Sequence, residues 1–503
     1  ISKLITATAI MRLVETGTID LDAPVSTYIP EFDPVRTEAK DTPITVRMLL
    51  NHESGLESDA FRDFFLGDET PEDFPVSYRR AIEAVNRSGV VRQPYEIFSY
   101  CNLGYSLLGV IIERAHGGTF QEAVADLVFD ALEMNDSTFN VDDVPEGRLA
   151  TGYAGRRPQS VPYIRDMPAG SLNTSAVDMG AFLQSMLTSY RAGDGLLASG
   201  TVREMFTPSN GEVAADLDFE VGLTWWITAF RKLPGEFIVG HGGDLPPFHA
   251  MALVLPERDL SVFIMVNSVE GVGSFSLADI AAETIRTFAE SEGQSPIPPP
   301  HESSPIVEVP ADLLVALPGY YASTAGLSEI RASGNKLRMY AFNQWFDVYF
   351  HEDRTLTLGY KILGIVPLRM PIFDELSVSL EDSAGTPAIN LRLQGVLIGP
   401  AVRIAPVTID PSWIERCGTY EAAGTEVAPQ YTGFRLEVDR RSGFLCLYVR
   451  SDGEWSKFPL ETVDSTAARL MGTGRGLGGT IRARPTERGE MLTFLNFELR
   501  RVR

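Results

Sequence analysis

A lysine at the start of a predicted helix is the first residue whose position indicates chemistry. Lys3 opens an apolar-periodic run that stops at Gly17 and predicts a helix over Ile1–Thr16. Residues three apart share a helix face, so a serine three positions before Lys3 would place its hydroxyl beside the amine, as in an activated serine. That position lies immediately before Ile1, outside the 503-residue sequence. Ser2 faces elsewhere, and an amphipathic helix that begins with Ser-Lys by chance is the alternative.

A tyrosine and an asparagine two residues apart form the second group. Tyr100 and Asn102 lie where a loop enters the predicted helix Cys101–His116. There both side chains can face one cleft, one with a phenolic oxygen for proton transfer and the other with an amide for hydrogen bonding. Taken alone, the pair is better explained as ordinary structure, because asparagine is a common helix cap.

A histidine flanked by glycines forms the third group. The segment Val239–Asp244 is predicted at the end of one strand and the start of the next turn, with His241 inside it. Glycines there let a substrate pair with the backbone like an extra strand, with N–H groups facing a developing oxyanion. Taken alone, the segment is better explained as a hairpin turn with a surface histidine.

The composition excludes several classes of function. The chain has 43 Lys and Arg against 67 Asp and Glu, and a net charge of −24 argues against a nucleic-acid groove. No run approaches the ~18 consecutive apolar residues of a membrane span. The six histidines lack metal-ligand spacing and the three cysteines are widely separated, so no metal or other cofactor is expected. Any targeting peptide would lie upstream, and the compartment, cytoplasmic or periplasmic, stays open.

Residues 1 to about 292 alternate helical and extended patterns. Apolar period and stop signals predict helices at Ile1–Thr16, Thr45–Asn51, Val76–Arg87, Cys101–His116, Thr119–Leu132 and Ser175–Leu187. Four β-rich runs follow at Val221–Phe230, Glu236–Gly240, Phe248–Leu255 and Leu260–Asn267. Their close spacing predicts an antiparallel sheet, which a last helix at Leu277–Glu290 would cover.

The second half of the chain reads as short strands. A proline-rich stretch at 296–310 predicts an extended linker. The strands beyond it are typical of small antiparallel barrels: Lys336–Phe342, Trp345–Phe350, Ile389–Leu393, Gly433–Val438, Phe444–Val449 and Met491–Leu499. Leu317–Tyr321 and Arg416–Tyr420 each place a glycine two residues before a tyrosine, 99 positions apart, which favours two barrels over one.

The three groups together, in this order, resemble one family. The chain resembles the S-x-x-K serine hydrolases: class C β-lactamases, low-molecular-weight D-amino-acid peptidases and penicillin-binding proteins, and their esterase relatives. The resemblance covers about residues 1–290 and extends beyond the three groups. Further matching stretches are Leu13–Val25 with Tyr28–Pro30, Ile44–Leu56 and Ala169–Met179.

The resemblance implies a catalytic role for the first two groups. Lys3 takes the place of the motif lysine, with the nucleophilic serine expected immediately before Ile1, and Tyr100 and Asn102 take those of the Y-x-N element. Either Lys3 or Tyr100 would accept the serine proton; their reference pKa values of about 10.4 and about 10 mean that one must be perturbed to act at neutral pH. Cys101, where serine or alanine is more usual, is expected to pack as a small residue.

The resemblance also implies roles for the third group. His241 and Gly243 take the places of an element written K-T-G in most β-lactamases and H-x-G in D-aminopeptidases and many esterases. The backbone N–H of Asp244 would form half of an oxyanion hole, and that of the serine the other half. Histidine in place of lysine argues against classical β-lactam resistance. His52 and Asp178 belong to stretches that are mainly structural in the family.

The β-rich half suggests an architecture. A catalytic domain followed by two antiparallel barrels resembles the bacterial D-aminopeptidases, in which a barrel loop restricts the substrate; Met471–Thr480 is either such a loop or a hairpin. The expected fold class is α+β. It comprises a β-lactamase-like domain over 1–295 (an antiparallel sheet flanked by helices, plus a helical subdomain), a linker over 296–310 and two lipocalin-like barrels over 311–408 and 409–503. Ser333–Lys336 also spells S-x-x-K, but is predicted in a hairpin turn.

These features give one leading function and two alternatives. The leading hypothesis is a serine hydrolase that forms an acyl-enzyme on small peptides, as an aminopeptidase or a DD-peptidase-like amidase. An esterase or transesterase acting on small acyl esters is the second. A non-catalytic binding homologue is the third, and it requires a residue other than serine before Ile1. The expected partners are a small peptide or acyl substrate and a further copy of the chain in a homo-oligomer, without nucleic acid.

Overall fold

The chain forms two compact units, one from most of residues 1–301 and one from most of residues 302–503. The structure is a computed structural model, and it describes residues 1–35, 42–58, 66, 74–213, 216, 219–227, 233–268, 274–299, 304–362, 366–368, 376–383, 386–393, 396–423, 431–451, 453–472, 478–487, 489–495 and 497–502. No helix within these ranges has the length and apolar character needed to cross a membrane. The predicted domain boundaries stay predictions.

The first unit is mainly helical. Its helices are α1 Ser2–Glu15, α2 Val25–Tyr28, α3 Val46–Leu50, α4 Arg80–Ser88, α5 Asn102–His116, α6 Phe120–Val124, α7 Met167–Gly170, α8 Ala176–Ala192, α9 Ser199–Met205 and α10 Ser274–Ser291. Its strands are β1 Gly152–Ala154, β2 Arg157–Gln159, β3 Val239–Leu245, β4 Phe248–Leu255 and β5 Leu260–Val266. Strands β3, β4 and β5 form an antiparallel sheet, against which α8 and α10 pack.

Helix α1 lies at the centre of this unit. Apolar residues occur on every side of it, and Leu4, Ile5 and Ile10 are fully buried. A helix that is apolar all round belongs in a protein interior. It packs against α5 and α7, and α5 approaches α7 closely because Gly109 has no side chain; a Cβ there would lie 2.3 Å from Cγ of Pro168.

The second unit is built from antiparallel strands. Its first sheet contains β6 Ile306–Val307, β7 Gly319–Ser323, β8 Gly326–Ser333, β9 Lys336–Ala341, β10 Gln344–His351, β11 Thr355–Ile362, β12 Val366–Leu368, β13 Leu376–Ser383, β14 Thr386–Leu393 and β15 Val396–Ile404. Eight of these strands pair in the order β11, β13, β14, β15, β7, β8, β9 and β10. Strand β10 also pairs with β11, so this row of strands closes into a ring. The apolar side chains of this ring form one core, which includes Leu337, Phe346 and Leu356.

A closed eight-stranded barrel follows. Its strands are β16 Gly418–Ala422, β17 Tyr431–Val438, β18 Leu445–Ser451, β19 Glu454–Thr462, β20 Ala467–Leu470, β21 Thr480–Thr486, β22 Gly489–Phe494 and β23 Phe497–Arg501. The two sheets begin alike, each after a short helix, α11 Ala311–Ala316 or α12 Pro411–Glu415. The repeated tyrosines also match, because Tyr321 donates to the carbonyl oxygen of Leu317 and Tyr420 to that of Arg416, four residues earlier in each case.

The predicted fold class is confirmed as α+β, and most predicted helices and strands are present. The helix predicted at Thr119–Leu132 is α-helical only to Val124 and continues as a π-helical turn over Ala125–Phe129 and a 3₁₀ turn over Asp130–Leu132. The helix predicted at Val76–Arg87 begins as a 3₁₀ helix over Phe74–Arg79, and α8 continues to Ala192, beyond the predicted end at Leu187.

Three strand or turn predictions are wrong. The histidine-glycine segment lies inside β3, not at a strand end, and Met491–Leu499 is two strands separated by a turn at Leu495. The described part of Val221–Phe230 makes only isolated bridges, at Val221 and Trp226, while residues 228–230 lie outside the described ranges.

Three other predicted segments have different outcomes. Residues 306–307 of the expected linker form β6 and pair with β10. Ser333–Lys336 forms the turn between β8 and β9, as predicted. In the candidate loop Met471–Thr480, residues 473–477 lie outside the described ranges.

Candidate active site

The Lys3 side chain is fixed by groups from two other elements. It lies on the first turn of α1 and is 2% exposed. Its Nζ donates to Oδ1 of Asn102 at 2.7 Å and to the carbonyl oxygen of Ala169 at 2.9 Å. The same nitrogen lies 4.6 Å from the ring centroid of Tyr100 and 5.1 Å from that of Tyr105. Two neutral oxygens and two aromatic rings therefore lie around the buried amine. These groups can accept hydrogen bonds from the amine in either of its protonation states.

Asn102 reaches Lys3 because α5 begins there. Cys101 is the N-cap of this helix, and its Sγ accepts from the backbone nitrogen of Gly104 at 3.2 Å. Cys101 is fully buried, as expected for a small packing residue. The helix ends at Gly117, which has a left-handed φ of 88°. Capping residues therefore define both ends of α5, and its first residue, Asn102, contacts Lys3 of α1.

A buried ion pair holds the segment that carries Ala169. Arg165 donates to both carboxylate oxygens of Asp166 at 2.8 Å, and both side chains are essentially unexposed. Ser106 of α5 donates to the same carboxylate at 2.9 Å. Because the pair is satisfied from both sides, it ties this segment to α5 and so holds the Ala169 carbonyl beside Lys3.

The start of α1 lies directly against β3. The Ile1 nitrogen donates to the carbonyl oxygen of Gly242 at 3.1 Å. A Cβ on Gly243 would come within 3.0 Å of Cγ1 of Ile1. The position immediately before Ile1 therefore adjoins the backbone of Gly242–Asp244. Ser2 faces away from this junction, since its Oγ accepts from the Leu172 nitrogen at 3.1 Å.

His241 presents one ring nitrogen to the site. Its Nδ1 contacts the carbonyl oxygen of Gly242, and since a carbonyl only accepts, Nδ1 carries the proton. Nε2 is buried and has no hydrogen-bond partner within the described part of the chain. Burial lowers the pKa of His241 well below its ordinary value, and the nearby Lys3 amine adds to this effect. The ring is therefore neutral at pH 7, with an acceptor nitrogen.

Aromatic contacts link the second and third groups. The Trp226 ring stacks on His241 with 4.8 Å between centroids, and its backbone pairs with that of Gly240. The Tyr100 ring lies 6.1 Å from that of His241 and 4.5 Å from that of His52. Lys3, Tyr100, Asn102 and His241 thus lie around one centre.

The sequence analysis missed several members of this centre. The Ala169 carbonyl is a backbone group, which leaves no trace in residue type. Trp226 lies in a run that was predicted as a regular strand. The Asp244 carboxylate contacts His249 Nδ1 at 2.5 Å, a pairing set by the register of β3 and β4. Within the described ranges, no three His, Cys, Asp or Glu side chains are grouped to hold a metal ion.

Comparisons with known proteins identify related sequences and a similar fold. Penicillin-binding protein 4 of Amycolatopsis lactamdurans is 27% identical over 327 residues, which are 62% of this chain and 81% of that protein. PbpX of Bacillus subtilis (strain 168) is 31% identical over 214 residues, 41% of this chain and about half (49%) of that protein. The solved structure of SurE is similar in fold, with a TM-score of 0.54, 22% identity, and coverage of 80% of this chain and 86% of that one.

A family assignment follows from the match along the first unit. The sequence profile described as beta-lactamase matches residues 1–285, which is more than half of the chain and includes all three groups. The predicted resemblance is therefore confirmed, and so is the prediction that the chain is a hydrolase. The chain belongs to the beta-lactamase family, among serine hydrolases related to the penicillin-binding proteins.

Proposed function

We propose that the protein hydrolyses amide bonds of small peptides or amino-acid amides through an acyl-enzyme. The observation that carries this proposal is the buried Lys3 amine, held by Asn102 and Ala169 beside the Tyr100 ring. A serine immediately before Ile1 would stand one helical turn from this amine. A weak hydroxyl nucleophile needs such a neighbour to take its proton.

The first chemical step would be attack by that serine on the substrate carbonyl. As the Oγ–C bond forms, the hydroxyl proton passes to Tyr100 or Lys3 and then to the amine nitrogen, which leaves as the C–N bond breaks. A cationic lysine near the Tyr100 ring favours the phenolate, while a neutral lysine can act as the base itself. Water then attacks the ester carbonyl of the acyl-enzyme and gives a proton to the same residues. The acyl C–Oγ bond breaks, that proton returns to the serine, and the carboxylic acid is released.

Charge on the tetrahedral intermediate would be met by backbone donors. Gly243 lies against Ile1 because it has no side chain, and Asp244 follows it on β3, so the Asp244 N–H would be available at the same junction. Together with the serine N–H it would form an oxyanion hole. Fixed donors of this kind cost no reorganisation when the charge develops.

The state of His241 supports an amide or amine substrate over a carboxylate one. A neutral ring with an unpartnered acceptor nitrogen suits an N–H or ammonium group of the substrate. A carboxylate there would meet a lone pair. This favours peptidase or amidase activity on substrates with a free amino group, and argues against classical β-lactams.

Active-site labelling of the full-length chain, including the residue before Ile1, tests the proposal. A fluorophosphonate should form one adduct on that residue, and Lys3→Met should abolish the adduct. D-Alanyl amides should be cleaved with a higher kcat/KM than the matching N-acetylated amides. Faster turnover of p-nitrophenyl acetate alone would establish the esterase alternative. An absent adduct would leave the binding homologue.

A further inference from the structure

We propose that His52 is a positioning residue that fixes the Tyr100 side chain for proton transfer. His52 follows α3 and is fully buried. Its φ of 63° lies in the left-handed region, which only a few per cent of non-glycine residues adopt, although histidine does so more often than most. Such a conformation persists only when surrounding contacts impose it, and here those contacts are with the Tyr100 loop. The proposal rests on the proposed function, because it assigns His52 to the same site.

His52 holds the backbone on both sides of Tyr100. Its carbonyl oxygen accepts from the Ser99 nitrogen at 3.0 Å, and its Nδ1 accepts from the Cys101 nitrogen at 3.0 Å. Since Nδ1 accepts, the ring must be unprotonated at that nitrogen. One residue thus satisfies the two amides that flank Tyr100, which fixes the direction in which the Tyr100 side chain leaves the loop.

The His52 ring also sets the plane of the Tyr100 ring. Their centroids are 4.5 Å apart with 31° between the planes. The His52 ring also contacts the ring of Tyr105, with 5.1 Å between centroids, and that of Phe98 in a T-shaped arrangement at 5.5 Å. Tyr100 and Tyr105 are the two rings that Lys3 Nζ faces. Of these two rings, Tyr100 is the one whose flanking amides His52 also binds, so His52 acts on proton transfer through Tyr100.

These contacts predict a specific kinetic effect. His52 would act through Tyr100 and not by binding substrate, so its loss should lower kcat and leave KM nearly unchanged. A catalytic group displaced by about 1 Å can cost about 100-fold in rate. The effect should disappear once Tyr100 no longer carries its hydroxyl.

Two substitutions separate the contact from the fold. His52→Asn keeps an acceptor at the position of Nδ1 and tolerates a left-handed φ, so it should retain kcat within about threefold. His52→Gly keeps the backbone conformation and removes the acceptor and the ring, so it should lower kcat about 100-fold. His116→Asn, at the far end of α5, is the matched control and should leave kcat unchanged.

Each variant is also made in the Tyr100→Phe background. His52→Gly should add no further loss there, whereas a merely structural role would lower kcat equally in both backgrounds. An unchanged kcat in His52→Gly, a change confined to KM, or an additive double variant would overturn the proposal. If His52→Gly does not fold, His52→Gln serves instead, because its amide lies one bond too far to accept from Cys101. Fluorophosphonate labelling of the unsubstituted chain separates this failure from failure of the proposed function.

Discussion

Replacing Gly243 by alanine probes the junction between β3 and α1. The added Cβ would lie 3.0 Å from Cγ1 of Ile1 and 3.3 Å from the Ile1 nitrogen. Gly243 does not have a positive φ, so the backbone itself accepts alanine. These distances are shorter than ordinary contacts, so Ile1 and the strand must move apart by a few tenths of an ångström.

That displacement falls on the two backbone donors of the proposed oxyanion hole. Complete loss of one donor costs about 10²–10³ in kcat, and a shift of about 1 Å costs about 10². A shift of a few tenths of an ångström in Gly243→Ala should therefore lower kcat by about 3- to 10-fold, or about 0.7–1.4 kcal/mol of transition-state stabilisation. Substrate binding should change little, because the affected charge appears only in the intermediate.

Pre-steady-state hydrolysis of a p-nitrophenyl ester measures this effect directly. The burst rate reports acylation, and thermal unfolding reports the fold. Gly180→Ala on α8 is the matched control, because a Cβ there meets nothing within 4 Å. It should stabilise the helix by about 1 kcal/mol and leave the burst unchanged. A Gly243→Ala enzyme with an unaltered burst rate would refute the assignment of this junction to the oxyanion hole.

Three further substitutions have separate expected outcomes. Lys3→Met should lower the acylation rate by about 10²–10⁴-fold in burst assays and leave the circular dichroism spectrum unchanged. Tyr105→Phe should lower the free energy of unfolding in urea by about 1–3 kcal/mol with kcat retained, because its hydroxyl lies 2.9 Å from the Leu50 carbonyl and 2.6 Å from Thr224 Oγ1. His241→Gln should make the free energy of unfolding less dependent on pH on the acid side. Because the pKa of His241 is lowered in the folded state, the unfolded state takes up the proton first as the pH falls. The unsubstituted protein should therefore lose up to about 1.4 kcal/mol of unfolding free energy per pH unit below about pH 6.5. Urea unfolding at pH 7.5 and 5.5 compares the two proteins.

Helix α5 illustrates what the sequence predicts well. Its apolar period, its entry at Cys101 and its stop at Gly117 are local signals, and the structure has a helix over Asn102–His116. Strand β3 illustrates the opposite case. Its glycines predict a turn, yet Gly240, Gly242 and Gly243 pair in register with β4, because the neighbouring strand supplies the packing that glycine lacks.

The turn at Leu495 had no signal at all. Its φ of 48° is left-handed, a conformation that leucine seldom adopts. The sequence therefore predicts one strand where β22 and β23 form a hairpin. The repeat of glycine and tyrosine was more informative. It predicts the start of each β-sheet, because in both places the tyrosine hydroxyl closes the same turn four residues back.

In the candidate site, residue type identifies the reactive side chains, whereas backbone geometry orients them. Lys3, Tyr100 and His241 are recognisable from their types and order, because each supplies a chemical group that few residues can replace. What orients them is largely backbone: the Ala169 carbonyl on Lys3, the Gly242 carbonyl on His241 and the amides beside Tyr100 that bond to His52. Any residue type supplies a carbonyl or an amide. The Ala169 contact exists only once α1 and α7 have met, and the His52 contact once the residues after α3 have met the start of α5, whereas the Gly242 contact is made within β3. The tautomer of His241, on which the proposed preference for a donor on the substrate rests, is therefore set by the local backbone conformation of β3 and not by residue type alone.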